Sequence, residues 1–264
     1  MPETLLPEFR TGGLKTRLLS LISRYYRGKA SISKAGIPTQ AVLPFSTVSR
    51  DKRIALIKNS KAGCTSLTHA IYTYDTGTSF KGNIHREGHH LRQGYSYWQS
   101  NLATIKSGES LVVSAIRNPY DRLVSAYFDF VVEQRNPMRK FHVQSFQAAG
   151  LANITDLADG FDPFLDYVEN AILTDPWLSD RHWRPQCLNL WVDEISYDLV
   201  MRTDSLSAGA NSLRQLLDIA ESRFPMPHSN KTKRESPLVL NGKQKLRIEH
   251  LYASDFELFE RNPV

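Results

Sequence analysis

Residues 53–72 read RIALIKNSKAGCTSLTHAIY, and residues 109–130 read ESLVVSAIRNPYDRLVSAYFDF. Each stretch passes from a short apolar run through a polar turn into a helical pattern. Ile54-Ala55-Leu56-Ile57 and Leu111 to Ile116 are brief and bounded by polar residues, as strands buried on both faces are. After the first run, Asn59 to Gly63 forms the turn, and Leu67, Ala70, Ile71 and Tyr74 then recur on one side of a helix. After the second, Asn118 is a good N-cap, Pro119 suits the first helical turn and Asp121 adds favourable charge there. That helix runs through Leu123, Val124, Tyr127, Phe128 and Val131.

Working outward, the same alternation continues. The patterns predict a helix over 96–106, a helix from Pro163 to Leu173, a third strand from Tyr197 to Met201, and helices over Ser205–Ser222 and Lys243–Tyr252. Strands alternating with helices argue for an α/β fold with a parallel sheet covered on both faces. Residues 75–95 are polar and punctuated by glycine, and read as a long surface loop near the sheet's edge carrying His85, His89 and His90. Residues 1–50 read as an N-terminal arm and 51–264 as the main domain. Within the arm, residues 14–29 form a basic amphipathic helix: Leu14, Leu18, Leu21, Ile22 and Tyr25 at helical spacing, with Lys15, Arg17, Arg24 and Arg27 between them. Such a helix touches an anionic membrane or a partner, or, more often, lies on its own domain.

Both turns suit phosphate. In Lys61-Ala62-Gly63-Cys64-Thr65-Ser66, small residues let backbone N–H groups approach a ligand. The helix N-terminus adds open donors and partial positive charge, Thr65 and Ser66 add hydroxyls, and Lys61 adds a mobile cation. The common P-loop pattern is absent, because this lysine precedes the glycine. The bland alternative is an ordinary strand-to-helix turn. In the second unit, Arg117 follows the strand directly and Ser125 lies two helical turns on. Arg117 and Arg122 could pair with carboxylates, and Ser125 could be a small contact residue. Yet an Arg at a strand's C-terminal end points toward the crevice where open α/β sheets bind ligands, and a guanidinium there suits a terminal phosphate. The two turns together imply a nucleotide phosphorylated at both ends.

Taken as a pair, the turns resemble the sulfotransferase superfamily, which uses 3′-phosphoadenosine 5′-phosphosulfate (PAPS). SKAGCTSL is similar to its 5′-phosphosulfate loop and IRNPYDRLVSAY to its 3′-phosphate motif. The second motif is closest in form to the carbohydrate branch that includes the chondroitin and HNK-1 enzymes (sulfotransferase family 2). His182-Trp183-Arg184-Pro185-Gln186, Tyr197-Asp198-Leu199-Val200 and Tyr252 to Phe259 resemble that branch's C-terminal half. The resemblance implies a P-loop-like fold, PAPS as sulfate donor without a metal, and a carbohydrate or other hydroxyl acceptor. It implies that Lys61, Ala62, Gly63, Cys64, Thr65 and Ser66 hold the 5′-phosphosulfate, and that Arg117 and Ser125 hold the 3′-phosphate. It also implies a catalytic histidine in the segment between the turns, with His90 and His85 ahead of His89. Asn59-Ser60 departs from the family, which often has Pro before the lysine. The animal enzymes are Golgi-anchored and often disulfide-bonded; this chain looks more like a bacterial relative.

Composition bounds the remaining readings. There are 33 basic and 27 acidic residues, a net charge of +6, compatible with an anionic ligand or simply a mildly basic surface. The basic residues are scattered and carry no nucleic-acid-binding motif, so no nucleic-acid partner is expected. Cys64 and Cys187 are the two cysteines, which argues against a disulfide framework and for the reducing cytoplasm. Cys64 is read as a small loop residue rather than a reactive thiol. No apolar run approaches the roughly 20 residues of a membrane span. His182 and Trp183 are read as acceptor-pocket lining or core, and Lys231, Lys233 and Arg234 as a flap over the nucleotide or a solvated charge run. The alternatives to an enzyme of sulfuryl transfer are a nucleotide-binding module of the same fold without turnover, and a P-loop kinase-like phosphotransferase.

Overall fold

The computed structural model describes residues 6–9, 13–87, 91–151, 157–226 and 238–262. Five strands form one sheet: β1 (Ser46–Val48), β2 (Ile54–Ile57), β3 (Arg92–Gln93), β4 (Leu111–Ile116) and β5 (Leu199–Arg202), in the order β3-β1-β2-β4-β5. The thirteen described α-helices are α1 (Leu14–Leu19), α2 (Arg24–Ile32), α3 (Ile37–Val42), α4 (Cys64–Thr76), α5 (Ile84–Glu87), α6 (Trp98–Ser107), α7 (Pro119–Tyr127), α8 (Val143–Ala148), α9 (Phe161–Thr174), α10 (Gln186–Leu190), α11 (Leu206–Leu217), α12 (Gly242–Leu251) and α13 (Ala253–Arg261).

The α/β expectation holds, but the sheet is mixed rather than parallel throughout. β2, β4 and β5 run parallel, whereas β1 is antiparallel to both β2 and β3. The cause is local. Residues 49–53 join β1 to β2, too short for the crossover that a parallel pair needs. That turn is closed by Ser49 accepting from the Lys52 and donating to the Ile54 main chain, with the Asp51 carboxylate taking the Ser49 hydroxyl and the Arg53 N–H. The segment read as a surface loop over 75–95 contributes the end of α4, the short α5 and the edge strand β3.

Side chains leave the two sheet faces alternately, as the strand period requires. Ile54, Leu56, Val113, Ala115 and Met201 pack against α4 and α11 through Leu67, Ile71, Leu213 and Leu217. Ala55, Ile57, Val112, Ile116 and Val200 face the other way, onto Ile32, Val42, Trp98, Ile105, Leu190 and Phe259. Ile32, Val42 and β1, within the segment expected as an arm, therefore lie inside this core. A third cluster joins α7, α9 and α12 around Trp183, which is core. The helix expected over 14–29 is two helices, broken at Ser20–Ser23, with Leu14, Leu18, Leu21 and Ile22 standing exposed.

For function, the consequential feature is register. Adjacent parallel strands β2 and β4 pair Ile54 with Leu111 and Leu56 with Val113, so both end at one edge of the sheet. The turns that follow them are neighbours by construction, and the turn after β5 joins them.

Candidate active site

The turn after β2 is shaped by two left-handed residues. Lys61 has φ 64° and Gly63 φ 73°. A side chain at 63 would be strained at that φ and would meet Leu206 Cδ2 at 3.2 Å, so glycine is required there. Lys61 has no such freedom, and its strain is of the kind that binding turns hold in place. Gly63 is the N-cap of α4 and gives no side-chain cap, so the first-turn N–H groups of that helix open toward the cleft in front of it. Cys64, Thr65 and Ser66 line this cleft, while Ala62 is buried beneath the turn.

The turn after β4 meets it directly. Arg117 Nη1 donates to the Lys61 carbonyl at 3.4 Å. Asn118 accepts from the Tyr120 N–H at 3.0 Å, capping α7, on which Ser125 faces the same cleft. The structure thus brings Lys61, Gly63, Cys64, Thr65, Ser66, Arg117 and Ser125 to one cavity of about 1940 Å³. Of the histidines expected between the turns, His85 lines this cavity, its Nε2 at 3.1 Å from the Thr65 hydroxyl. The residue as a whole is exposed, yet burial of its ring, and then the Lys58 and Arg181 charges, lower its pKa. His89 and His90 lie outside the described residues, as do Lys231, Lys233 and Arg234.

Lys61 is held by a carboxylate the sequence did not single out. Its Nζ lies 2.9 Å from Asp129 Oδ2, and Arg135 Nε lies 2.9 Å from Asp129 Oδ1. Burial lowers the Lys61 pKa, opposed by Asp129. Burial alone would raise the Asp129 pKa, but Lys61, with the Asn136 and Arg135 hydrogen bonds, turns the net direction down. The two form an ion pair on the cleft wall.

Buried polar side chains hold the two turns in register. Gln186, fully buried, accepts from Asn59 Nδ2 at 2.8 Å and from the Arg117 N–H at 3.0 Å, and donates to the Arg117 carbonyl at 2.8 Å. Asn59 also donates to the Ala115 carbonyl at 3.0 Å. Arg122, read from sequence as a carboxylate partner, instead donates to three carbonyls: Ser60, Arg181 and Arg184, at 3.0, 2.9 and 2.9 Å. Asp255 takes the Gln186 and Cys187 N–H groups at 2.7 and 2.9 Å. So the stretches 182–186 and 252–259 form the bracket behind the site. His182 reaches the cleft itself, while Trp183 does not. Among the described residues no cluster of three or more His, Cys, Asp or Glu side chains could hold a metal.

A sequence profile of the sulfotransferase family matches residues 46–260, the span that carries both turns and the bracket behind them. Neither a curated protein nor a solved structure matches the chain. No described helix is long and apolar enough to cross a membrane. With most of its length matched and both turns opening on one cleft, the chain belongs to the sulfotransferase family, whose chemistry is sulfuryl transfer.

Proposed function

We propose that this protein transfers a sulfuryl group from PAPS to a hydroxyl group of a carbohydrate. The observation that carries the reading is the single cleft onto which the Lys61–Ser66 turn and Arg117 with Ser125 both open. Two anionic ends of one adenosine nucleotide need two donor-rich, cationic pockets at a fixed separation, and adjacent parallel strands supply that separation. The Lys61 ammonium, the Thr65 and Ser66 hydroxyls and the N-terminus of α4 suit the 5′ end. The Arg117 guanidinium and the Ser125 hydroxyl suit the 3′-phosphate.

In the transfer, the acceptor oxygen bonds to sulfur as the bond from sulfur to the 5′-phosphate oxygen breaks, and that phosphate keeps the electron pair. Catalysis is then positioning plus charge stabilisation. Lys61 and the helix N-terminus are placed to offset the charge growing on the leaving phosphate. The acceptor hydroxyl gives its proton to a base, and His85 and His182 are the described histidines facing the cleft. Tyr25, Tyr95, Tyr97 and Phe45 line the same cleft, and aromatic faces suit the C–H surfaces of sugar rings. Both cysteines are free, which suits a cytoplasmic protein.

Calorimetry with 3′,5′-adenosine diphosphate, set against 5′-AMP and ATP, tests the donor half. The bisphosphate should bind at least tenfold more tightly than either, and equal affinities would defeat the reading. Mass spectrometry of unsulfated polysaccharides incubated with PAPS and the protein tests the acceptor half, through a gain of one sulfuryl mass.

A further inference from the structure

One buried carboxylate in this fold is used twice, and one of its partners opens on the cleft. Asp180 is fully buried as a side chain. Its Oδ2 lies 2.9 Å from His142 Nε2, and its Oδ1 lies 2.6 Å from His182 Nδ1 and accepts the His182 main-chain N–H at 2.9 Å. A carboxylate can only accept, so Asp180 fixes the proton on Nδ1 of His182 and leaves the Nε2 lone pair outward. His142 is closed off on its other side by the Tyr167 hydroxyl at 2.8 Å. On its other side His182 meets the Asn136 amide at 3.4 Å and keeps 15% of its side chain accessible, on the cleft wall. The ring packs edge-on against buried Phe130, the centroids 5.0 Å apart.

The ring also lies close to the leaving-group cation. Lys61 Nζ meets Asp129 Oδ2 at 2.9 Å; Asn136 Nδ2 donates to the same oxygen at 2.7 Å; and Asn136 Nδ2 stands 3.4 Å from His182 Nε2. Burial holds the imidazole neutral, opposed by Asp180. The His85 pKa is likewise lowered by burial, but its Nε2 stands 3.1 Å from the Thr65 hydroxyl, and Asn83 takes its backbone N–H.

We propose that His182, oriented by Asp180, accepts the proton of the acceptor hydroxyl during transfer. This rests on the sulfuryl-transfer reading above. As the acceptor oxygen bonds to sulfur, its proton passes to His182 Nε2, and 3′,5′-adenosine diphosphate leaves with the electrons of the broken bond. Asp180 is a positioning residue: it sets the tautomer and steadies the imidazolium that forms.

The test uses the full chain with PAPS labelled in its sulfuryl group. Single-turnover release of label, to water or to unsulfated chondroitin, is measured beside the affinity for 3′,5′-adenosine diphosphate. A positioned base contributes about 10²–10⁴-fold. His182→Asn should therefore lose at least about 100-fold in release while its nucleotide affinity stays within about threefold. His85→Ala should lose less than His182→Asn. Asp180→Asn, which can donate to Nδ1 and turn the tautomer around, should lose a comparable factor at unchanged affinity, and it decides the matter if His182→Asn does not fold. In His182→Gly, added imidazole should restore part of the rate, which a purely structural role would not allow. Release by His182→Asn within about threefold of the unaltered protein overturns the assignment, as does a loss matched by nucleotide affinity. If the unaltered protein binds no bisphosphate, or releases label no faster than PAPS decays alone, the donor reading fails as well. If it does both and His182→Asn keeps pace, only the base assignment fails.

Discussion

Replacing Gln186 with Ala should uncouple the two ends of the nucleotide site without touching either end. The side chain is fully buried and lies behind both turns rather than in the cleft. Three hydrogen bonds go with it: from Asn59 at 2.8 Å, from the Arg117 N–H at 3.0 Å and to the Arg117 carbonyl at 2.8 Å. At roughly 0.5–1.5 kcal/mol net for each, with more where a buried group is left poorly paired, the loss in stability is about 2–4 kcal/mol. Urea denaturation reads that directly. The binding consequence is more specific. A bisphosphate gains from having its second end delivered to a pocket already at the right distance, which is an effective-concentration effect. Loosening the bracket reduces that gain while leaving each pocket's own donors in place. Affinity for 3′,5′-adenosine diphosphate should fall about 10–100-fold, the scale on which a displacement near 1 Å acts. Affinities for 5′-AMP and 3′-AMP should each change by about threefold or less. If all three nucleotides weaken by one common factor, Gln186 supports the fold in general and the bracket argument is wrong.

Arg117→Ala should cost about 1.5–3 kcal/mol in binding the bisphosphate, one charged hydrogen-bonded contact, and bring its affinity down toward that of 5′-AMP; an equal loss for 5′-AMP would place Arg117 elsewhere in recognition. Asp129→Asn removes the counterion that holds the buried Lys61 charged and should weaken bisphosphate binding severalfold, the more so as pH rises; calorimetry at pH 6 and pH 9 checks this, and tighter binding at both would refute it. Lys58 is buried on the cleft floor, which pushes its pKa down from 10.5 to about 7. Between those values the unfolded chain holds a proton that the folded chain has released, so this group makes stability rise with pH from about 7 and withdraws that contribution as pH falls through 7. Urea titrations of the native chain and Lys58→Met across pH 6–10 should give a difference curve that climbs by up to about 1.4 kcal/mol per pH unit, and a flat difference would count against a buried neutral lysine.

Much of the site was legible because its chemistry is local. Asn118-Pro119 announces its helix within three residues, and Lys61 to Ser66 are contiguous small and hydroxyl residues whose neighbours already read as strand and helix. The cleft they share follows from the parallel pairing of two short apolar runs. What escaped the sequence reading depends on long-range partners. Arg122 was weighed against carboxylates because guanidinium groups usually find them, but the oxygens it takes are carbonyls some sixty residues away at both ends. Gln186 joins positions 127 and 69 residues distant, and no periodicity reports such a bond. Asp180 and His182 did leave a trace, an Asp whose side chain takes the N–H two residues on, as turn-forming Asp residues do. The link from Asp180 to His142, 38 residues earlier, left none. The antiparallel edge was missed because β1 and β3 are only three and two residues long, below what any alternation can show.

The placement of Lys61 explains why a carboxylate sits inside a site built for anions. A buried ammonium without a counterion would shed its proton, and burial already lowers the Lys61 pKa. Asp129 keeps it charged, and Arg135 and Asn136, at 2.9 and 2.7 Å, occupy the same carboxylate and keep it from repelling a phosphate at full strength. On the proposed reading this is a cation held ready by a shared counterion: an arriving phosphate oxygen would replace Asp129 in front of Lys61, while Asp129 would stay paired with the other two. Asn136 is the joint in this exchange, because the amide that steadies Asp129 also stands against His182 Nε2. If the donor binds at Lys61 as proposed, that event and the orientation of His182 would be connected through this one side chain.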